Sequence, residues 1–395
     1  MFVSPPTSDL VDLAKARYRD LFGADPQWGA AAPGRVNLIG EHTDYNDGYV
    51  MPMAIERSIV VVGGRPADQS GQVVELLSQS MGEQGKIDLA VPVAPDAPRW
   101  TRYIRGVLEE FRALGGEPGP LRLVIESNVP LGAGLSSSAA LEVATATLLE
   151  QVTGVRLSAT KKARLCQRAE NIHVGVPCGI MDQYSSAAGM ADHLMLLDCR
   201  SLEARQVPFT DPAMTVLLIN TNVQRELASS AYPIRRAQCE TAASQLGVQA
   251  LRDATMEKLE KLRPEMEEVV YRRARHVISE NQRVLDMASA LAASDWTRAG
   301  ELMVAGHDSL RDDYAVSCPE LDLLVDTAFQ IGRTGGVIGS RMTGAGFGGC
   351  TITLVESDAV ESVAERITKT YRGTTGIEPT AFTTRPGRGA HVVDL

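Results

Sequence analysis

The sequence predicts an α+β fold in two domains, with α/β as the alternative, on three observations. The chain has 395 residues, more than a single compact core usually holds. Runs with helical apolar spacing alternate along it with short runs rich in β-branched residues. Its composition, 44% hydrophobic and 22% charged, is typical of globular proteins. We expect each domain, residues 1–205 and residues 206–395, to combine a mixed sheet with helices.

In the first half, apolar residues at helical spacing predict a helix that ends at Gly23. The β-branched runs at 58–64 and 121–127 predict strands, with a proline-rich connector, 91–100, between them. The small and apolar residues from Ser136 to about residue 151 predict a helix, which Gly154 would end.

Further apolar runs predict strands at 193–199 and 214–221, followed by a second half that opens with long helices. The expected later elements are helices at 264–294, 295–310 and 319–331, strands at 336–342 and 351–357, a helix at 359–371 and a strand at 380–384.

The overall charge and the cysteines exclude several classes of protein. A net charge of −10 argues against a nucleic-acid partner. The six cysteines are scattered without a C-x-x-C pair, which predicts reduced thiols in the cytoplasm rather than a disulfide framework or a zinc site. No run resembles a signal peptide or is long and apolar enough to cross a membrane.

The first stretch with chemical potential is PGRVNLIGEHTDYNDG, residues 33–48. Its apolar centre is flanked by Arg35 on one side and by Glu41, His42 and Asp44 on the other. Ionisable groups beside a buried strand are costly unless they are paired or used, so the stretch indicates a site. The alternative is a solvated hairpin with a surface ion pair.

The second stretch is PLGAGLSSSAALE, residues 130–142. Gly132 and Gly134 allow the backbone to turn, and three serines, residues 136–138, follow at a helix start. Helix N-termini present free N–H groups to anions such as phosphate, so we expect a phosphate loop. The alternative is an ordinary serine cap after a glycine turn. The G-K-[ST] ending of a Walker loop is absent from the sequence.

The third stretch, MTGAGFGGC at 342–350, matches G-x-G-x-x-G through Gly344, Gly346 and Gly349. A dinucleotide fingerprint must follow a strand and open a helix, whereas these glycines precede a strand. The match therefore predicts close approach of the backbone to a ligand or to a second loop, with a flexible loop as the alternative.

A fourth stretch, residues 169–189, supplies a candidate base, because Asp182 follows a mostly apolar segment. A carboxylate at the edge of a buried wall needs a partner, and Arg35 is the obvious one. The alternative is an aspartate that caps a helix. Glu170 is the other carboxylate of this stretch.

Together the four stretches, with AYPIRRAQCE at 231–240, resemble the GHMP kinases, and within that superfamily the galactokinases. The resemblance covers the chain from about Pro33 to Cys350 and implies a two-domain fold with the active site in the cleft between the domains. It implies transfer of the γ-phosphate of ATP, with Mg²⁺, to the C1 hydroxyl of α-D-galactose.

By this resemblance, Asp182 is the general base and Arg35 stabilises charge beside it. The implied sugar ligands are Glu41, His42, Asp44, Gly179 and Tyr232. The implied nucleotide-binding residues are Gly132, Ala133, Gly134, Leu135, Ser136, Ser137, Ser138, Trp100, Tyr103, Gly344 and Gly346. The implied magnesium ligands are Ser137, with Ser138 as the alternative, and Glu170. The third motif is expected beside the phosphate loop, so a bulky side chain at Gly346 would occupy space that the nucleotide needs.

Two other functions stay open at the level of the sequence. One is a kinase for a related sugar such as N-acetylgalactosamine or arabinose. The other is a sensor that binds galactose and ATP without catalysis, against which the complete serine run and the presence of Arg35 and Asp182 argue. A purely structural protein has no use for these stretches together. We expect the partners to be small-molecule substrates, without nucleic acid or membrane, and we expect the protein to be a monomer.

Overall fold

The computed structural model describes residues 5–69, 71–93, 97–223 and 227–395, except for the side chains of residues 227–232. In the first part of the chain the elements are α1 (Thr7–Phe22), β1 (Trp28–Asn37), β2 (Tyr49–Val50), β3 (Pro52–Gly64), β4 (Val73–Ser78), β5 (Glu83–Asp88), α2 (Arg99–Ala113), β6 (Leu121–Ser127), α3 (Ser137–Thr153), α4 (Ala159–Arg168), α5 (Met181–Ala188), β7 (His193–Asp198) and β8 (Ala204–Pro208). They are followed by β9 (Met214–Asn220), α6 (Leu227–Gln245), α7 (Met256–Leu262), α8 (Glu268–Ala292), α9 (Trp296–Asp308), α10 (Pro319–Ile331), β10 (Val337–Met342), β11 (Cys350–Glu356), α11 (Val360–Thr375), β12 (Thr380–Thr384) and β13 (His391–Val392).

The described strands form three sheets. A six-stranded sheet has the order β13-β1-β3-β6-β4-β5, a four-stranded sheet the order β10-β11-β9-β12, and a three-stranded sheet the order β2-β7-β8. The pairings are antiparallel except for β4 with β6. Helices pack on these sheets, so the predicted mixture of sheet and helix is confirmed. Among the described helices, none has the length and apolar character that crossing a lipid bilayer requires.

The strand pairing bears on the division into domains. A border at residue 205 would cut through β8, whose partner is β7, whereas β9 belongs to the four-stranded sheet. We therefore place the border between β8 and β9. The division is also not strictly sequential, because His391 and Val392 of β13 pair with Ala31 and Ala30 of β1 at the edge of the six-stranded sheet.

Several predicted elements are confirmed close to their expected ends. Helix α1 ends where Gly23 takes the left-handed conformation, and α3 ends in the same way at Gly154. Strands β6 and β12 and helix α10 have the predicted bounds.

The expected connector at 91–100 is wrong at its end, because α2 begins at Arg99. The prolines before it hid the helical spacing of Trp100, Ile104, Val107 and Phe111, which are all buried on one helix face. All six cysteines are unpaired thiols, in agreement with the prediction of reduced cysteines.

Candidate active site

Asp182 lies where three separate parts of the chain meet. It stands in the first turn of α5, and its Oδ1 is 2.7 Å from the guanidinium of Arg35. Its Oδ2 accepts a hydrogen bond from the Ser136 hydroxyl at 2.5 Å. The carboxylate does not cap the helix, because Ile180 occupies that position without a side-chain bond. The structure thus holds Asp182 against both the first and the second motif.

A bulge in β1 directs the Arg35 side chain toward that meeting point. The pairing register of β1 with β3 shifts between Pro33 and Arg35, which re-aims the side chain that follows. Nη1 of Arg35 donates to the Gly134 carbonyl at 2.7 Å, and its backbone N–H donates to the Leu135 carbonyl at 3.1 Å. A Cβ at Gly34 would lie 2.6 Å from that same Leu135 oxygen, so only glycine allows this approach.

The phosphate loop leads into the N-terminus of α3. Ser136 has φ 55°, a left-handed conformation that is rare outside glycine, and it makes no capping bond to the helix. An ordinary serine cap is therefore not its role. Helix α3 starts at Ser137 with its first N–H groups toward the loop, and Gly132 and Gly134 are exposed there. Ala133 and Leu135 are buried beneath them.

Beside Asp182 lies a small polar pocket between the first motif, the start of α5 and the third motif. It is lined by Arg35, Glu41, His42, Asp44, Tyr45, Cys178, Gly179, Met181, Asp182, Gly344 and Ala345. Gly179 packs directly against the Asp44 carboxylate, where any Cβ would collide. Burial raises the pKa of Asp44 to about 6, and the negative charge of Asp182 contributes to this rise.

Glu41 is 1% exposed, which rules out the solvated hairpin. Its Oε1 accepts from the Thr343 hydroxyl at 3.0 Å and from the Gly344 N–H at 3.4 Å. Its Oε2 is 2.5 Å from the guanidinium of Arg341. Burial raises the pKa of Glu41 to about 7, the Arg341 charge lowers it, and nearby Glu280 raises it further.

His42 is a neutral, directional group. Burial lowers its pKa to about 3, and the neighbouring His276 adds to this effect. Its Nε2 is 3.3 Å from the Ala345 carbonyl, which only accepts, so Nε2 carries the hydrogen. Nδ1 then accepts from the Tyr45 hydroxyl at 2.9 Å. His42 also has φ 64°, a strained backbone conformation of the kind found at functional sites.

Glu170 lies on the other side of Asp182. Its Oε2 accepts from Gln183 Nε2 at 2.6 Å and from Cys178 Sγ at 3.5 Å. Burial raises the pKa of Glu170 to about 7, and the charge of Asp182 raises it further. Gln183 also reaches the fully buried Glu142 at 3.2 Å. In the described part of the chain, no three acidic, His or Cys side chains are grouped as a metal site.

One carboxylate with one hydroxyl nevertheless fits Mg²⁺, which takes few protein ligands when phosphate oxygens and water supply the rest. Burial raises the pKa of Glu170 and the Ser138 hydroxyl lowers it, which favours Ser138 over Ser137 as its neighbour. Both serines line the adjoining cavity.

That adjoining cavity is larger and more apolar. It is lined by Ile59, Ser78, Ser80, Met81, Arg99, Trp100, Tyr103, Ile125, Ser127, Leu131, Ser137, Ser138 and Leu141. The two predicted aromatic residues, Trp100 and Tyr103, lie here on α2, and Trp100 Nε1 donates to Glu83 at 2.8 Å. Burial, followed by the charge of Glu170, raises the pKa of Tyr103 to about 12, so its hydroxyl stays protonated.

The glycines of the third motif approach different neighbours. A Cβ at Gly344 would lie 3.4 Å from the Gly134 carbonyl oxygen, and one at Gly349 would lie 3.2 Å from that of Ala133. These two glycines therefore face the phosphate loop, as the resemblance implied. Gly346 does not, because its Cβ would collide with the carbonyl oxygen of Val316. The expected reason for its lack of a side chain, space for the nucleotide, is thus replaced by contact with a second loop.

The third motif is also not a free loop. Thr343 N–H donates to the Cys350 carbonyl at 3.0 Å, which closes it between β10 and β11. Phe347 N–H donates to the Val316 carbonyl at 2.7 Å, and Thr221 N–H donates to the Gly349 carbonyl at 2.9 Å. These bonds hold the glycine backbone in place on two further segments.

The sequence prediction missed part of both cavities. Tyr45 and Cys178 stand inside quoted motifs and could have been included by position alone. Arg99 and Met81 of the larger cavity lie outside every motif, and no sequence signal marks them. The side chain of Tyr232, a predicted sugar ligand, lies outside the described residues.

Three family models match the chain. The Galactokinase galactose-binding signature matches residues 16–65, the GHMP kinases N terminal domain matches residues 102–190, and the GHMP kinases C terminal model matches residues 287–373. The first match covers β1 and the residues around the polar pocket. The second covers the phosphate loop and Asp182, and the third covers the glycine motif.

Curated relatives and a solved structure agree with these matches. Human galactokinase is 46% identical over 398 residues, with 99% of this chain and 98% of the relative covered. Galactokinase of Canis lupus familiaris is 47% identical over 379 residues, with 94% and 95% covered. The crystal structure of Lactococcus lactis galactokinase complexed with galactose superposes with a TM-score of 0.90 at 32% identity, and the match covers 97% of this chain and 99% of that one.

Proposed function

The chain belongs to the galactokinase family of the GHMP kinases, and on that basis we propose that it transfers the γ-phosphate of ATP to the C1 hydroxyl of α-D-galactose. As a member of this family it is an ATP-dependent kinase that acts on a small sugar. The choice of galactose, of the C1 hydroxyl and of the catalytic residues belongs to the proposal.

One observation carries the proposal. The Asp182 carboxylate is bonded on one oxygen by Arg35 from the sugar motif and on the other by Ser136 from the phosphate loop. It lines a polar pocket whose chemistry suits a sugar, and its partner Ser136 directly precedes Ser137 and Ser138, which line a cavity suited to a nucleotide. A base in that place can take the proton of a hydroxyl as the hydroxyl attacks a phosphoryl group.

In the polar pocket, the carboxylates of Glu41 and Asp44, when ionised, would accept hydrogen bonds from sugar hydroxyls. The Cys178–Met181 segment, with Gly179 against Asp44, forms the wall opposite the first motif. These contacts orient the reacting hydroxyl toward the cavity, and orientation alone supplies a large part of the rate in such reactions.

Phosphoryl transfer requires mainly positioning and neutralisation of charge. The N–H groups at the start of α3 would bind phosphate oxygens, and Arg35 lies where negative charge grows during transfer. We propose Glu170 and Ser138 as the residues that would hold Mg²⁺, with Ser137 next to them. When bound, Mg²⁺ would neutralise charge on the β- and γ-phosphates.

The test is an ADP-release assay on a sugar panel of galactose, N-acetylgalactosamine, arabinose and glucose, with the product identified by ³¹P NMR. We expect galactose to give by far the highest kcat/KM and a sugar 1-phosphate. A higher kcat/KM on N-acetylgalactosamine or arabinose would support the related kinase instead. Binding of galactose and ATP without ADP release would support the sensor.

A matched pair of variants assigns that activity to the proposed site. Asp182→Asn should remove most of the turnover, whereas Asp192→Asn should leave it unchanged. The Asp192 side chain is 58% exposed, and its ion pair with Arg385 is long, at 3.8 Å. Equal turnover in the two variants would contradict the proposed role of Asp182.

We also propose that the protein works as a monomer in the reducing cytoplasm. Its six unpaired thiols and its net charge of −10 support these two points. Light scattering coupled to size-exclusion chromatography should give the mass of one chain, about 42.4 kDa. A mass of twice this value would contradict the monomer.

A further inference from the structure

Arg341 is a fully buried arginine outside the proposed catalytic residues. It contacts the first motif, residues 33–48, at several points. It stands on β10, and its side chain is 0% exposed. Nη1 donates to the Leu38 carbonyl at 3.1 Å, and Nη2 lies 2.5 Å from Glu41 Oε2. The same Nη2 donates to Glu280 Oε1 at 3.1 Å. Glu280 in turn accepts from the Gly40 N–H at 2.9 Å.

Arg341 therefore holds the segment 38–41 in place. It contacts the Leu38 carbonyl and the Glu41 side chain directly, and it reaches the Gly40 N–H through Glu280. Arg341 on β10 thus connects this segment to α8, on which Glu280 stands. A guanidinium has five donors in a fixed planar arrangement, and no other side chain could make these contacts at once.

Two arginines, Arg341 and Arg283, lie beside two glutamates, Glu41 and Glu280. Their pairing leaves Arg341 as the partner of Glu41. Arg283 forms its own pair with Glu280, with Nε 2.6 Å from Oε2. Glu280 is thus already neutralised by a neighbour on its own helix. Arg341 supplies the second positive charge, and Glu41 is the carboxylate that would otherwise stay buried without a partner, an arrangement that proteins rarely tolerate.

The hydrogen bonds of Glu41 leave one oxygen available. Oε1 is occupied by Thr343 and Gly344, whereas Oε2 has Arg341 as an ion-pair partner but accepts no directed hydrogen bond from the described residues. Oε2 is buried, and the Glu41 side chain is one of those that line the polar pocket. An ionised carboxylate oxygen retains lone pairs for a further donor.

We propose that Arg341 is a positioning residue for sugar binding, which fixes the Glu41 carboxylate in the orientation in which it accepts a hydrogen bond from a hydroxyl of the sugar. This inference rests on the proposed role of Glu41 as a sugar ligand. Arg341 itself touches no substrate, and it acts through the Glu41 side chain and through the backbone of the same segment.

The test compares Arg341→Met with wild type in steady-state kinetics on both substrates. The KM for galactose should rise about 10- to 100-fold, the effect expected when a charge-assisted hydrogen bond is lost. The kcat and the KM for ATP should change less than about threefold, because the nucleotide cavity does not include Arg341. An unchanged KM for galactose, or an equal rise in both KM values, would overturn the proposal.

Two further variants separate positioning from stability. Glu280→Gln combined with Arg341→Met keeps the charges balanced, so it should fold even if the single variant does not, and it should still have the raised KM for galactose. Lys162→Met breaks another buried ion pair, in which Lys162 Nζ lies 2.9 Å from Glu150 Oε2, and neither residue lines the polar pocket or the larger cavity. It should lose stability without changing either KM.

Monodeoxy galactoses give the most specific measurement. Wild type should lose affinity for the one analogue that lacks the hydroxyl bound by Glu41, and Arg341→Met should lose little more with that same analogue. Equal losses in wild type and variant would contradict the inference. If wild type does not phosphorylate galactose, the proposed function fails. If it does, and Glu41→Gln raises the KM while Arg341→Met does not, only this inference fails.

Discussion

The polar pocket, which Asp182 lines, and the larger cavity, which Ser137 and Ser138 line, are built by different means. The pocket consists of ionisable side chains held by buried partners, such as Glu41 by Arg341 and Asp182 by Arg35. The cavity combines aromatic and aliphatic side chains with five serines and Arg99, and Leu131, Ser137 and Ser138 of the phosphate loop form part of its wall. On the proposed function, the pocket would recognise its ligand by fixed hydrogen-bond partners, and the cavity by shape and by the N–H groups at the start of α3.

This difference predicts which substitutions should affect sugar binding and catalysis and which should affect ATP binding. Charges in the pocket are neutralised by specific neighbours, so their loss should affect sugar binding and catalysis strongly. Side chains of the cavity share their contacts, so the loss of one should affect ATP binding modestly. Variants at the junction, where Arg35 joins the first motif to the phosphate loop, should affect both.

The largest effect is expected at that junction. Arg35→Ala should lower kcat about 10³- to 10⁵-fold, because the guanidinium contacts both Asp182 and the Gly134 carbonyl and, on the proposed function, would stabilise the charge of the phosphoryl group during transfer. Single-turnover kinetics would measure the loss. A loss smaller than that of Asp182→Asn would show that the arginine serves the base alone and not the transfer.

Asp182→Asn should lower kcat about 10²- to 10⁴-fold, the usual contribution of a general base. The amide keeps the size of the side chain and can still accept from Arg35. KM for galactose should change little, which steady-state kinetics would show. Near-wild-type turnover would remove the base role and leave Asp182 only as a positioning group.

Gly346→Val tests the third motif, and it sharpens the expectation from the sequence. Gly346 has φ 85°, and a side chain would collide with the Val316 carbonyl. The variant should lose about 1–3 kcal/mol of stability. Because Gly344 and Gly349 of the same motif face the phosphate loop, the shifted backbone should also raise the KM for ATP. Thermal unfolding measures this against Gly373→Val, where no atom lies within 4 Å of an added Cβ. Equal unfolding temperatures in the two variants would contradict the collision.

The pocket should also respond to pH. The pKa of Glu41 is raised to about 7 and that of Asp44 to about 6, so galactose affinity should weaken about tenfold between about pH 8 and about pH 5 as both take up protons. Calorimetric titration with galactose would measure it. Constant affinity over this range would show that neither carboxylate accepts a hydrogen bond from the sugar.

The effect of the same two groups on stability has the opposite sign. A carboxyl whose pKa is raised on folding binds its proton more tightly in the folded state, so it stabilises below its unfolded pKa and loses that contribution as pH rises through the folded value. His42 and His276, with lowered pKa values, act against this trend as they resist protonation. The difference in stability between wild type and Asp44→Asn across pH isolates the Asp44 contribution.

The smallest effect is expected in the cavity. Trp100→Phe keeps an aromatic ring but loses the hydrogen bond to Glu83, and it should raise the KM for ATP about three- to tenfold. The KM for galactose should not change. Nucleotide titration would measure the loss, and a larger effect on galactose than on ATP would contradict the assignment of the two cavities.

The sequence predicted the pocket better than the cavity for a physical reason. Arg35, Glu41, Asp44 and Asp182 are charged groups beside apolar segments, and such groups are conspicuous because they are costly to bury. The approach of Arg35 to Asp182 could therefore be expected before any coordinates. Apolar residues of the cavity, such as Ile125, cannot be distinguished by pattern from the rest of the core.

What the sequence could not predict is which groups meet across the fold. No pattern in the sequence distinguishes Arg341 from any other arginine in a strand. Its proposed role depends on the packing of α8 and the first motif around it. Gly346 was assigned to the nucleotide because nothing in the sequence indicated contact with Val316. Such meetings depend on tertiary packing, which single-sequence patterns do not contain.

The pairing of β13 with β1 has a consequence for biosynthesis. A ribosome releases Ala30 and Ala31 early, but the strand that covers their edge of the sheet, His391–Val392, emerges only when nearly all of the chain has been translated. Until then the nascent N-terminal sheet has an open edge, which is a site for mispairing with other chains. Translation that stops shortly before residue 391 would yield a protein that contains all the proposed catalytic residues. The β1 edge of its six-stranded sheet would be unpaired and open to strands of other chains.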